Sequence, residues 1–571
     1  MRILTATQTL GGFFFASNYA MNGETQQRPS LAGEHFQAII IGGGINGVSI
    51  ARECALAGRR VLLLEQSDFA SGTTSRATRI IHGGLRYLEH GDIALVRESL
   101  RERERLLQAH NHLVRRMDFV LALPRHSGIG RSALAIRTGL WLYRRLAPAE
   151  QHAPKMERKT LEAALDHGAQ LQFFSYGDAQ CEYPERLTAE WLAEAISNGA
   201  AIRNHAKALT VTIRNGVACG ALVSDLLTGE EYEVTADWVI NATGPWVDGI
   251  NQRSQSHIGR LIGGVRGSHL IFNRIPAGAR ALVEGHAALY TEATDGRPIF
   301  AIPWAGQLLF GTTEVAQDQN DDPAKVQPTA EEIEYLLASA RRLFGSEQLS
   351  LADVHYAYSG IRPLPYAPAE SMAAITRNHL LHDHAGEGIA NYISVVGGKL
   401  TTAGHLGRQC ARKIGCDVAE PALAVVASEP DGGLDSAQSN WAKSIAAMSG
   451  LSEEQVQAIA DWHGPRALCV IRAAQKDALM RKPIIAGSNH LLAEAFEAVH
   501  FECAIKLGDI LLRRTPIALG VDWNERATDE AALNIGKALG WDEKRIAVEA
   551  EAFEIERAAF LRKVEVHAAK S

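Results

Sequence analysis

One short segment constrains this chain more than any other: Gly42-Gly43-Gly44-Ile45-Asn46-Gly47, which matches the spacing G-x-G-x-x-G through Gly42, Gly44 and Gly47. Its surroundings are those the spacing requires. Residues 37–41 form a short apolar run, read as a buried parallel strand. Residues 48–57 have helix-forming character and stop at Gly58, and residues 61–64 are a second apolar run. Strand, helix and strand make a βαβ unit. One glycine permits the tight turn, one lets backbone approach a pyrophosphate, and one allows close helix–strand packing. The first amides of the helix, those of Ile45 and Asn46, point at the phosphates. Glu65 ends the second strand 18 residues after Gly47, with Gln66 beside it. A carboxylate there can accept hydrogen bonds from both ribose hydroxyls of an adenosine and repels a 2′-phosphate.

A second strand-to-turn segment, Val239-Ile240-Asn241-Ala242-Thr243-Gly244-Pro245-Trp246, follows about 175 residues after Glu65. An extended FAD needs contacts from several separated segments, whereas a lone NAD domain rarely does, so FAD is the expected cofactor. Further along, residues 200–240 alternate in short strands with turns at Asn215-Gly216 and Thr228-Gly229. Residues 269–272, 298–302 and 308–311 also read as strands. Residues 95–107, dense in Arg, Glu and Leu, read as a long solvated helix. Residues 421–433 read as a linker, and helical patterns follow at 442–448, 452–462, 491–512 and 545–564. The expected organisation is an N-terminal extension over 1–35, taken as disordered, an interleaved FAD- and substrate-binding region over 36–430, and a helical domain over 431–571. The fold class is α/β plus α: a Rossmann-like FAD-binding domain interleaved with an α+β substrate domain on a mixed sheet, then an all-helical C-terminal domain.

Ser71-Gly72-Thr73-Thr74-Ser75-Arg76 precedes Ile81-His82-Gly83-Gly84-Leu85-Arg86-Tyr87-Leu88. With Ser359-Gly360-Ile361-Arg362-Pro363-Leu364 and Gly397-Gly398-Lys399-Leu400-Thr401-Thr402, these stretches closely resemble the FAD-dependent glycerol-3-phosphate dehydrogenases of bacteria and mitochondria. The resemblance runs from about Ala38 into the C-terminal region, where Arg513-Arg514-Thr515 fits it. The wider relatives, D-amino-acid oxidase and glycine oxidase, share only the FAD segments. The sequence departs from the family at His110-Asn111, where Ala-Pro is usual, at Glu314, where Asp is common, and at Arg144-Arg145, where an acid is frequent.

The resemblance implies that Gly42, Gly44, Gly47 and Glu65 bind the ADP half of FAD. It places Ser71, Thr73 and Ser75 toward the pyrophosphate or ribityl chain, the Lys207 backbone toward the adenine, and Thr243 and Gly244 at the pyrophosphate. Gly398, Leu400 and Thr401 would lie near the pyrimidine end of the flavin, with a helix starting near Thr401 directing its dipole there. His82, Arg86, Tyr87, Arg362, Arg377 and Lys399 would bind substrate, and His269 either lines the site or is a satisfied strand histidine. Independently, a nearly dianionic phosphate monoester needs several cations, with arginine favoured for bidentate contact. The implied reaction moves a hydride from C2 of sn-glycerol 3-phosphate to flavin N5, giving dihydroxyacetone phosphate. His82, Arg362 and Lys399 are the candidates for handling the C2 hydroxyl, and His82 has the intrinsic pKa of a base near neutrality. In the family, reduced flavin passes electrons to a quinone or, in oxidases, to oxygen. The alternative functions are FAD-dependent oxidation of another small anion, such as a 2-hydroxy acid or amino acid, and a flavin-binding regulatory role.

Composition narrows the partners. The net charge of −7 argues against a nucleic-acid binder. Seven cysteines without a C-x-x-C pair point away from a disulfide framework or a zinc site, so no metal is expected and a reducing cytoplasm fits. No apolar run reaches membrane-spanning length. Leu140-Trp141-Leu142-Tyr143-Arg144-Arg145 joins an aromatic–apolar face to two arginines, so it fits either a bilayer interface or a packed helix. The expected location is the cytoplasm, with peripheral contact at the inner membrane, and the resemblance makes a homodimer an expectation.

Overall fold

The computed structural model describes residues 28–124, 133–148, 165, 171–255, 257–275, 277–318, 321–345, 349–367, 375–423, 433–520 and 523–564. The expected βαβ unit is present: strands His35–Ile41 and Val61–Leu64 pair in parallel around helix Ile45–Leu56. They sit in a sheet of eight strands. Its parallel centre runs, in order, Tyr392–Val396, Glu231–Asn241, His35–Ile41, Val61–Leu64 and Ala201–Arg203. Both central strands are apolar along their whole buried length, as a strand covered on two faces must be. Helices Ile45–Leu56, Pro184–Ser197 and Ala403–Lys413 cover one face, burying Val48, Ala51, Leu192 and Leu406 among others. A hairpin of Ala206–Arg214 and Val217–Asp225 turns at Asn215-Gly216 with φ of 51° and 74°, the left-handed pair a tight hairpin needs.

The second sheet has ten strands and is mostly antiparallel. Val265–Phe272 lies between Gln307–Gly311 and Val354–Arg362. Val114–Pro124 pairs with Leu171–Cys181 over eleven positions. The two sheets with their helices, and the helical C-terminal part, give the α/β plus α architecture expected.

Several local expectations change. Residues 1–27 lie outside the described residues, but the packed chain starts before residue 36: Leu31 is buried, and the Gly33 amide donates to the Glu233 carbonyl at 3.0 Å. The helix expected to be solvated, Ile93–Ala109, buries Leu95, Val96, Ser99, Leu100, Glu102, Arg103 and Glu104, because its charges find partners inside. Residues 491–512 are not one helix. Leu492–Phe501 ends, Cys503 takes φ of 56°, and a single π turn follows at Ile510–Arg514. Most of the expected linker, residues 424–432, lies outside the described residues.

The C-terminal helices are tied to the rest by buried charge. Arg186 makes a two-pronged ion pair with Glu502 at 2.7 Å on each arm, both side chains fully buried. Arg513 and Arg514 both reach Asp68, in the loop just after Glu65, and His205 pairs with Asp509 at 3.0 Å. The last strand, Arg562–Lys563, adds to Val354–Arg362 in the second sheet. This part therefore braces the first and second sheets together. Among the described residues no helix is long and apolar enough to cross a membrane.

Candidate active site

A cavity of about 1510 Å³ opens between the two sheets and continues from the first βαβ turn to the end of strand Val354–Arg362. That exceeds the roughly 300–1000 Å³ typical of a single small-ligand site. The space fits a dinucleotide with a substrate beside it.

The glycine turn forms one end. Gly42 has φ of 107°, and a Cβ there would lie 2.6 Å from the Ala242 carbonyl oxygen, so only glycine joins the two strand ends. A Cβ on Gly47 would lie 1.8 Å from the Gly42 oxygen, which is the close helix–strand packing expected. Gly44 borders the cavity at the N-terminus of helix Ile45–Leu56, but the Ile45 amide expected to face the phosphates donates instead to Thr74 Oγ1 at 3.1 Å. Glu65 accepts the amides of Gly43 at 2.6 Å and Ser67 at 2.8 Å, and its burial raises its pKa. Asn46 donates Nδ2 to the Gly397 carbonyl at 3.4 Å, while its buried Oδ1 has no partner. An orphaned acceptor beside a glycine turn, with an acid at the second strand's end, suits a bound dinucleotide.

Gln66, Lys207, Thr243, Gly244, Gly398 and Leu400 line the same cavity. Thr243 is held by Asn241 Oδ1, which accepts its amide at 3.3 Å and its hydroxyl at 2.6 Å. Ser71, Thr73 and Ser75 also border it, but the Thr73 and Ser75 hydroxyls are already engaged. Thr73 donates to the Ile361 carbonyl at 2.8 Å, and Ser75 to the Gly72 carbonyl at 3.1 Å. Thr401 is set back from the cavity, where its hydroxyl oxygen accepts the His82 amide at 3.1 Å. The helix expected near Thr401 begins at Ala403.

The cations gather at the other end. Arg86, Arg362, Arg377 and Lys399 line it with His82 and Tyr87. Arg362 is placed by the end of its strand and donates to Thr312 Oγ1 at 3.0 Å. Burial and the neighbouring Arg377 lower its pKa to about 10, which leaves it charged at neutrality. Arg377 pairs with Glu314 at 3.2 Å. Lys399 Nζ donates to Ser99 Oγ at 3.0 Å and lies 4.8 Å from the Tyr87 ring centre. Burial lowers its pKa to about 8 despite Glu98 and Asp92. Arg86 makes no hydrogen bond or ion pair with any described residue. His82 has a pKa pushed down to about 4 by burial, with Lys399 and Arg103 adding to the effect and Asp178 opposing it. His269 sits in the wall: it is buried, stacks on Tyr358 at 4.8 Å and bonds Thr78 Oγ1 at 3.0 Å.

Sequence reasoning missed the support behind His82. The Asp178 carboxylate accepts the Gly83 amide at 3.1 Å and the Tyr143 hydroxyl at 2.8 Å, and it pairs with Arg103. Tyr143, from the segment that fits either a bilayer interface or a packed helix, points inward, while Trp141 and Leu134 on the same helix, Ala133–Leu146, are exposed. Ser99, Thr312 and the pairing of Glu314 with Arg377 were also unforeseen. No spacing rule links Arg103 to Asp178, since they come from a helix and a strand 75 residues apart.

A dinucleotide cradle opening into a chamber of cations defines a flavin-dependent oxidoreductase. Residues 37–412 match the family model described as FAD dependent oxidoreductase, and residues 429–546 match the C-terminal domain of alpha-glycerophosphate oxidase. The chain belongs to this FAD-dependent family and, within it, to the glycerol-3-phosphate dehydrogenases. It is 36% identical over 549 residues to the glycerol-3-phosphate dehydrogenase of Synechocystis, covering 90% of this chain and 95% of that one. It is 37% identical over 393 residues to the enzyme of that name from Pseudomonas tolaasii, covering 67% of this chain and 72% of the other. It shares its fold with the FAD-complexed glycerol-3-phosphate dehydrogenase of Bacillus halodurans, at TM-score 0.71 and 23% identity, over 94% of this chain and 97% of that one. FAD is the cofactor of the family, and the residues of the cradle fit it.

Proposed function

We propose that this protein oxidises sn-glycerol 3-phosphate at C2 to dihydroxyacetone phosphate and passes the electrons to a quinone. The observation that carries the reading is the convergence of Arg86, Arg362, Arg377 and Lys399 on one chamber of the FAD cavity. Four cations there suit a phosphate dianion, whereas a lone carboxylate needs fewer. FAD, when bound, supplies the two-electron acceptor for the hydride that leaves C2.

The chain does the rest. Gly42, Gly44, Asn46, Glu65, Gln66 and Lys207 hold the nucleotide half, with Gly47 and Ile45 fixing the turn behind them; Ser71, Thr73, Ser75, Thr243, Gly244, Gly398 and Leu400 frame the remainder, and Thr401 supports His82 from behind. Arg86, Arg377, Lys399 and Tyr87 bind the phosphate end of the substrate. His82, uncharged near pH 7, accepts the C2 hydroxyl proton as the carbonyl forms. A bound dianion raises the His82 pKa from its value near 4, because opposite charge favours the protonated ring. Arg362 faces the oxygen that gains negative character. His269 holds the strand behind Arg362.

The cavity also runs into an apolar arm lined by Phe119, Leu121, Ile136, Leu140 and Phe300. That arm supports an apolar acceptor, and exposed Trp141 and Leu134 beside it support peripheral contact with a membrane. The likeness of the C-terminal part to an oxidase domain favours oxygen as the second reading. Turnover is measured with glycerol 3-phosphate, 2-hydroxyglutarate and D-amino acids, each with a soluble quinone analogue or with oxygen. The proposal expects turnover with the first substrate and the quinone; turnover only with another substrate overturns it, and turnover only with oxygen selects the second reading.

A further inference from the structure

Away from the cavity, the edge strand Leu380–Asp383 and the turn His384–Glu387 bring two imidazoles and a carboxylate together. The ligating atoms of His382, His384 and Glu387 all lie within 4.8 Å of one another. His382 Nε2 is 3.0 Å from one oxygen of Glu387, and His384 Nδ1 is in direct contact with the other. His384 is fully buried, whereas His382 and Glu387 are partly open to solvent.

The surrounding hydrogen bonds decide which nitrogen of His384 carries its proton. Asn241 Oδ1 accepts both the amide and the hydroxyl of Thr243, so Asn241 turns its Nδ2 toward Asn251 and donates to Oδ1 there at 2.9 Å. The same Asn251 oxygen accepts the hydroxyls of Tyr392 and of Ser394, the latter at 3.2 Å. The Ser394 proton is thereby committed, and its oxygen accepts from His384 Nε2 at 2.8 Å. With the proton on Nε2, Nδ1 presents a lone pair to a carboxylate oxygen. Two acceptors in contact repel, so the pair is joined either by a second proton on His384 or, with the carboxylate drawn back, by a metal ion.

We propose that His382, His384 and Glu387 bind a divalent transition metal of the zinc class, with solvent completing the coordination. Bonds of about 2.0–2.2 Å in a tetrahedral arrangement set donor separations near 3.3 Å, so the partly exposed Glu387 carboxylate draws back from both imidazoles to admit the ion. Two imidazoles select zinc or cobalt over magnesium or calcium. The bond from His384 Nε2 to Ser394 is the outer support that metal-bound histidines commonly have. The neighbouring Asp383 is already committed, to the Ala385 amide and to Lys413. A second cluster, Glu102, His405 and Glu420, is different: its carboxylates pair with Arg105, Arg408 and Arg412.

The test uses the FAD-loaded protein after chelator treatment and dialysis. Zn²⁺ is titrated by calorimetry, and Co²⁺ by its visible absorption at wavelengths beyond the flavin band. The proposal expects one saturable site per chain. The site is lost in His382→Ala and in Glu387→Gln, weakened about 10–100-fold in Ser394→Ala, and kept in His405→Ala. Absence of saturable binding by the wild type means that a second proton on His384 holds Glu387, and it overturns the proposal. So does binding that survives both His382→Ala and Glu387→Gln.

Discussion

Replacing Gly267 by alanine perturbs the substrate end while leaving the cofactor end alone. Gly267 lies in strand Val265–Phe272 and lines the cavity. A Cβ there would lie 2.5 Å from Thr312 Oγ1 and 2.7 Å from both terminal nitrogens of Arg362. Ordinary contact is roughly 3.5 Å, so the guanidinium and the hydroxyl must retreat by about 0.8–1.0 Å. Both are side-chain ends, so the fold can absorb the change; the strand conformation is one alanine adopts. A displacement of about 1 Å in a positioned catalytic group costs on the order of 100-fold, or about 2.7 kcal/mol of transition-state stabilisation. We therefore expect Gly267→Ala to keep its FAD content and melting temperature, and to lower kcat/KM for glycerol 3-phosphate by roughly 10–100-fold. Anaerobic stopped-flow measurement of flavin reduction over a range of substrate concentrations reads this directly. Wild-type kcat/KM in a fully flavinated Gly267→Ala protein would refute the assignment of Arg362 to the reacting end.

Three further outcomes follow from the same geometry. His82→Gln should slow flavin reduction by roughly 10²–10⁴-fold without loss of FAD, and an unchanged rate removes His82 as the base. Burial depresses Lys399 to a pKa of about 8, so its charge is present below that pH and lost above it. KM for glycerol 3-phosphate should rise as pH climbs through about 8, and Lys399→Met should raise KM and abolish that dependence; a limb that persists in the variant assigns it elsewhere. Glu502→Gln leaves the buried Arg186 without its charge partner and should cost roughly 3–5 kcal/mol of stability, read as a lower urea midpoint of the holoprotein. An unshifted midpoint contradicts the role given to that pair.

What the sequence made legible was what repeats at short range. The turn of Gly42, Gly44 and Gly47 and the apolar runs on either side are local patterns, and the βαβ unit stands where they place it. The hairpin at Asn215-Gly216 was equally readable, because its turn needs two left-handed residues. The cavity gathers Arg86, Arg362, Arg377 and Lys399 from four separate segments, and there the resemblance guided the reading rather than periodicity. The residues behind them were not legible. Asp178, Arg103 and Tyr143 meet only after a strand, a helix and a more distant helix pack together. The solvated reading of Ile93–Ala109 failed for the same reason: Glu102, Arg103 and Glu104 are charged, but their partners lie on other elements. At the break at Cys503 the neighbouring Glu502 docks against Arg186, a long-range contact that no helical pattern records.

The most direct test of the central claim is anaerobic addition of sn-glycerol 3-phosphate to the FAD-loaded protein while the flavin spectrum is followed. One flavin per chain should be bleached by this substrate, with 2-hydroxyglutarate and D-amino acids leaving the spectrum unchanged. A flavin that stays oxidised with glycerol 3-phosphate, or one bleached by another of these anions in its place, would contradict that claim.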